Sequence, residues 1–204
     1  MIYIRQQILG KMVLKNLDLL VEELTSGEDG RAEAAANGLA AHGSAALPSL
    51  EALLTSSEPD RRWWAVRALA EIADPQVKED FIKALHDRHP SVRQCAALAL
   101  RRQPHPEAIP DLVQALSDKD RLLAHLAADA LAAVGSPAVD ALSQVVEEGL
   151  PAARLEAVRA LAEIGDTRSI PILFRTLDED SALIEYWAGE GLERMGVGMA
   201  FFTP

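Results

Sequence analysis

The chain has 204 residues, 49% hydrophobic but only 4% aromatic, with a formal net charge of −11 at pH 7. Such a composition packs helices through small side chains, and its acidity opposes non-specific binding to phosphate backbones, which comes from clustered Lys and Arg. The single cysteine, Cys95, excludes an intramolecular disulfide and a multi-cysteine zinc site and fits a cytoplasmic location, while no apolar run reaches the roughly 18 residues a membrane span needs.

Residues 1–15 carry Ile4, Ile8 and Met12 at helical spacing and read as an N-terminal cap or extension; Arg5, Gln6 and Gln7 break the apolar run, so no signal peptide is expected. Six helix pairs then follow. The first spans about 16–26 and 31–42, broken by Gly27-Glu28-Asp29-Gly30. The second spans about 45–56 and 61–73, with Ser44 and Asp60 as N-caps, Pro48 in a first turn, and Trp63 and Trp64 on its second helix. Asp74-Pro75 opens the third, about 75–86 and 92–103, and His105-Pro106 the fourth, about 106–117 and 121–134, closed by Gly135. Ser136-Pro137 opens the fifth, about 137–148 and 152–164, closed by Gly165, and the sixth spans about 168–178 and 182–195, closed by Gly196. An apolar tail, 197–204, carries Phe201 and Phe202.

The pairs are copies of one unit. Ala65 to Ile72 reads Ala-Val-Arg-Ala-Leu-Ala-Glu-Ile, and the same octapeptide returns from Ala157 to Ile164. Leucine recurs at Leu39, Leu69, Leu100, Leu131, Leu161 and Leu192, a period of about 30 residues. Four residues before each stands Ala35, Ala65, Ala96, Ala127, Ala157 or Ala188, and one before it Gly38, Ala68, Ala99, Ala130, Ala160 or Gly191. These positions share one helix face, so each second helix buries a leucine flanked by residues small enough to admit a close neighbour. The unbroken period is that of a single array over 16–196.

Ile109-Pro110-Asp111-Leu112, Leu116-Ser117-Asp118, Val92-Arg93 and Ala160-Leu161-Ala162-Glu163-Ile164-Gly165-Asp166 resemble the HEAT-like repeats named for phycobilisome lyases, over nearly the whole chain. The resemblance implies an all-α, right-handed α-solenoid of six pairs with second helices lining a concave face. It leaves function open, because such repeats serve scaffolds, chromophore-attachment subunits, an iron hydroxylase and DNA glycosylases. The arginine that opens the second helix is present at Arg62, Arg93 and Arg154 and replaced by Ala32, Ala124 and Glu185 elsewhere.

On those second helices the exposed side falls six and two residues before each leucine: Glu33, Trp63, Gln94, His125, Leu155 and Tyr186, then Asn37, Arg67, Leu98, Asp129, Arg159 and Glu190. Apolar and aromatic residues beside charges are the make-up of a protein-binding surface. Trp63, Trp64, Arg67, Leu98, Arg159, Tyr186 and Trp187 form the expected contact set. At about 10 Å per packed helix, Trp63 and Tyr186 stand about 40 Å apart, which suits an extended peptide or protein and not one small ligand.

Catalytic chemistry finds less support in the residues. No His is followed by Glu, as the repeat-built iron hydroxylase requires, and His86, Asp87 and His89 lie in a turn with no fourth ligand. Cys95 has no histidine to activate it. The sequence therefore reads as a non-catalytic protein-binding scaffold with no catalytic, metal or cofactor residue, no nucleic-acid or membrane partner, and an undetermined oligomeric state. A subunit of a bilin lyase or other chromophore-handling enzyme is the alternative. More remote is a DNA-glycosylase-like enzyme, for which Trp63, Trp187 and Asp129 supply an outline without the basic surface.

Overall fold

The structure, a computed structural model, describes residues 16–178 and 181–197. The expected cap at 1–15, the acids Glu179 and Asp180, and the tail beyond Val197 with its two phenylalanines lie outside the described residues. Every regular element described is helical. The chain divides into two compact units, one up to Ala99 and the other from Leu100.

The first unit contains α1 (16–24), α2 (Asp29–Ala41), α3 (Leu47–Leu54), α4 (Pro59–Leu69), α5 (Lys78–Ala84) and most of α6 (Pro90–Arg102), within which the division falls. The second contains α7 (Ile109–Ala115), α8 (Arg121–Val134), α9 (Val139–Glu148), α10 (Pro151–Ile164), α11 (Ile170–Thr176) and α12 (Ala182–Arg194). Odd-numbered helices are the first members of the pairs and even-numbered helices the second. In the first unit α2 packs on α4; in the second, α10 lies between α8 and α12.

The repeated leucines and their alanines form the core. Leu39, Leu69, Leu100, Leu131 and Leu161 are wholly buried, Leu192 nearly so, and all six alanines four residues earlier are buried. The small row is small by necessity where helices touch: a Cβ on Gly191 would lie 2.8 Å from Cα and Cβ of Ala162 on α10. That separation is far inside van der Waals contact.

Pro48 stands in a first turn as expected, and so do Pro110 and Pro171, where their missing N–H costs nothing. Asp74 caps as expected, accepting from the Gln76 N–H. Two expected caps differ. Ser44 lies inside a short 3₁₀ turn, Gly43–Ala46, that precedes α3 and makes no cap bond, and α4 starts one residue before Asp60, with Glu58 at its N-cap. In each pair after the first, such a 3₁₀ turn precedes the first helix.

The twin octapeptides end differently. α10 runs to Ile164 and closes on Gly165 at φ +64°, whereas α4 stops at Leu69. Glycine enters the left-handed region freely, but Ile72 is followed by Ala73-Asp74-Pro75, whose proline holds Asp74 extended. The opening arginines tie the turns down: Arg62 Nη1 donates to Ser56 O at 2.9 Å, Arg93 Nη1 to Asp87 O at 3.1 Å, and Arg154 Nε to Val146 O at 2.7 Å. Arg62 also grips Asp87 through both Nε and Nη2, at 2.7 and 2.8 Å.

Candidate functional site on the second helices

In the first unit the aromatic part of the site is the pair Trp63 and Trp64 on α4. Their rings meet edge to face, with centroids 4.8 Å apart, and both side chains are half-buried. Trp63 is anchored from α6, where the Cys95 thiol donates to its carbonyl oxygen at 3.8 Å. Burial pushes that thiol up to about 12 against the opposing charge of Arg67, so at neutral pH it is a packed S–H and no nucleophile. Leu98 on α6 is exposed.

Arg67 differs from the free contact expected of it. It reaches back from α4 to Glu33 on α2, with Nη2 2.5 Å from Oε1, and holds Glu71 one turn along its own helix with Nη1. The octapeptide repeats this arrangement in the second unit. Arg159 on α10 reaches back to α8, with Nη1 2.7 Å from Asp129 Oδ1 and Nη2 2.9 Å from His125 O, while Nε donates to Glu156 at 3.0 Å. Arg101 at the end of α6 takes the other oxygen of Asp129 at 3.2 Å, and His125 Nδ1 lies 3.3 Å from Glu156.

Arg159 is only 8% exposed. Its place on the open face is therefore corrected: the guanidinium joins adjacent second helices and is closed off by Asp129, Glu156 and the His125 carbonyl, with Glu163 at 3.7 Å. Asp129, the acid that a glycosylase-like outline would need free, is held by two arginines. Tyr186 and Trp187 on α12 form a second edge-to-face pair, 5.3 Å between centroids, with Tyr186 56% exposed and Trp187 half-buried. Each unit thus presents an aromatic pair on a second helix and an arginine tie between neighbouring second helices.

Among the described residues no three His, Cys, Asp or Glu side chains are grouped to hold a metal ion, and no single helix is long and apolar enough to cross a membrane. Asp87, a candidate ligand by sequence, is spent on Arg62.

The model for HEAT repeats matches residues 78–150 and 109–193, more than half of the chain. The chain belongs to the HEAT-repeat family. The model for the PBS lyase HEAT-like repeat matches residues 61–87, which include both tryptophans of α4. Among proteins of similar sequence, a bilin biosynthesis protein, RpcF, of Synechococcus sp. (strain WH8020) is 39% identical over 88 residues, covering 43% of this HEAT-repeat chain and 42% of that protein. The phycocyanobilin lyase subunit beta of Pseudanabaena tenuis (strain PCC 7409) is 43% identical over 85 residues, 41% of the chain and 30% of that subunit. The matches therefore span less than half the length of either relative.

Among solved structures, the complex of CpcE and CpcF of phycocyanin lyase from Nostoc sp. PCC7120 is similar with a TM-score of 0.59 at 23% identity, over 72% of the chain and 98% of that one. A designed armadillo repeat protein in complex with the peptide (KR)4 is similar with a TM-score of 0.52 at 19% identity, over 88% and 99%. These likenesses establish the α-solenoid fold, and in both structures the fold is seen with a protein or peptide partner. The relatives overturn the expectation of a non-catalytic scaffold. They are named for bilin biosynthesis and a bilin lyase, so the chromophore-handling alternative is the reading they favour.

Proposed function

We propose that this HEAT-repeat chain is part of a bilin lyase, a repeat module that holds a linear tetrapyrrole for attachment to a target protein. The observation that carries the reading is 39–43% identity to a bilin biosynthesis protein and a phycocyanobilin lyase subunit across 85–88 residues. The geometry supports a holding role. Cys95, the one thiol, is buried and protonated, so it offers no covalent attachment point, whereas half-exposed aromatic faces suit a flat conjugated ligand.

In this reading Trp63, Trp64 and Leu98 in one unit and Tyr186 and Trp187 in the other are the contact groups for the bilin or its target. Arg67 fixes α4, which carries the two tryptophans, to α2, and Arg159 ties α8 to α10, the helix on which α12 packs. Size-exclusion chromatography of the purified chain with phycocyanobilin tests the proposal. Visible absorbance eluting with the protein, and reduced by Trp187→Ala, is expected. Elution of all bilin as the free pigment overturns the proposal.

A further inference from the structure

One cavity has a lining that suits a bilin poorly. It is open, holds about 780 Å³, and lies at the N-terminal halves of α2 and α4, with Trp63 and Trp64 in its wall. The charged groups around it are Asp29, Glu33, Glu58, Asp60 and Arg61. Arg61 is paired with Glu58 at 3.0 Å, and Glu33 shares Arg67 with Glu71. Asp29 and Asp60 are exposed and have no ion pair among the described residues.

Acids in a first helical turn have an ordinary use, since they complement the helix dipole, and Asp29 and Asp60 both sit in first turns. The dipoles do not use up the charge. The two aspartates carry two negative charges against helix ends worth about half a positive charge each, leaving about one negative charge at the mouth. Such a field repels the carboxylates of a bilin and attracts a cation, and indole is the best side-chain partner for a cation. The larger cavity, about 820 Å³ near α3 and α5, differs on both counts: Glu51, Glu79, Asp80 and Asp87 stand against Arg62, Lys78 and Lys83, and no aromatic residue lines it.

We propose that the cavity between α2 and α4 receives arginine or lysine side chains from a basic segment of a protein partner, with Trp63 and Trp64 as its aromatic wall and Asp29 and Asp60 as its charged rim. The proposal is independent of the bilin reading, and either can fail alone. The test uses the full chain carrying Trp187→Phe, so that fluorescence reports only the other two of its three tryptophans. The titrants are a short peptide alternating arginine and glycine and a control alternating glutamate and glycine.

The arginine peptide is expected to give a saturable change that weakens as salt rises. Asp29→Asn/Asp60→Asn, which removes both charges and keeps the side-chain size, should weaken it on the order of tenfold. No saturable change, equal affinity in the Asn variant, or a matching response to the acidic peptide overturns the proposal. A change on concentrating the protein alone assigns the cavity to a second copy and also overturns it.

Discussion

Arg159 on α10 and Asp129 on α8 are joined across 2.7 Å, with both side chains largely out of water. The same guanidinium also holds Glu156, itself only 7% exposed. Its removal leaves Asp129 with the exposed Arg101 alone and Glu156 with His125, both acids poorly hydrated. Arg159→Ala is expected to cost about 3 kcal/mol in urea unfolding, as breaking a buried pair does. Arg67→Ala, whose arginine is 27% exposed, should cost only about 1 kcal/mol. Equal costs would show that burial does not set the strength of the tie.

The Arg62–Asp87 pair makes part of the first unit's stability depend on pH. Burial pushes the Asp87 carboxyl up, but the Arg62 hydrogen bonds and the His89 N–H outweigh it, and the carboxyl sits below its ordinary value. A carboxyl depressed on folding contributes stability that is complete above its unfolded value near about 4 and is lost as pH falls through the folded value. Asp87→Asn should therefore lower the melting temperature at pH 7 and make the loss below about pH 4 shallower than in the wild type. Parallel pH profiles for the two proteins would contradict this.

Two neighbouring glycines on α12 should respond in opposite directions to one methyl group. Among the described residues nothing lies within 4 Å of where a Cβ on Gly189 would stand, so Gly189→Ala is expected to stabilise by about 0.5–1 kcal/mol through helix propensity. Gly191 faces the backbone of Ala162, and Gly191→Ala should destabilise by about 1–3 kcal/mol through overpacking. Thermal melts of the two variants decide the matter, and stabilisation by both would mean that α10 and α12 are not in close contact.

Cys95 gives a chemical check on the packing of α6 against α4. A 5% exposed thiol pushed up to about 12 is protonated at pH 8, so a disulfide reagent should label it slowly in the native chain and rapidly in urea. Native labelling as fast as in urea would place the cysteine at the surface.

The core was legible because the repeat is redundant. Six leucines at one spacing each carry the same two small companions, and all of these leucines are buried. The glycine helix ends were legible too, since Gly135, Gly165 and Gly196 have positive φ. Arg67 and Arg159 were misjudged because helix phase shows which way a Cα faces and not where a long side chain ends. The missing signal was present: Asp129 and Arg159 stand in the same row one repeat apart, which sets opposite charges side by side on adjacent helices.

Trp63 and Trp64 stood out as aromatics in an alanine-rich chain, whereas the acidic rim beside them did not. Asp29 and Asp60 fall 31 residues apart and meet only because α2 packs on α4. Activity was the least legible property, since one repeat carries both binding and catalytic proteins and no motif separates them.

The central claim is that the chain holds a bilin for transfer, and the most direct measurement follows the pigment. The chain is loaded with phycocyanobilin, freed of excess pigment, and mixed with a phycocyanin apoprotein; after denaturation, colour covalently retained by the apoprotein is recorded over time. Colour leaving the chain and appearing on the apoprotein faster than from free pigment, with slower transfer from Trp187→Ala, is the predicted result. Transfer no faster than from free phycocyanobilin would contradict the account.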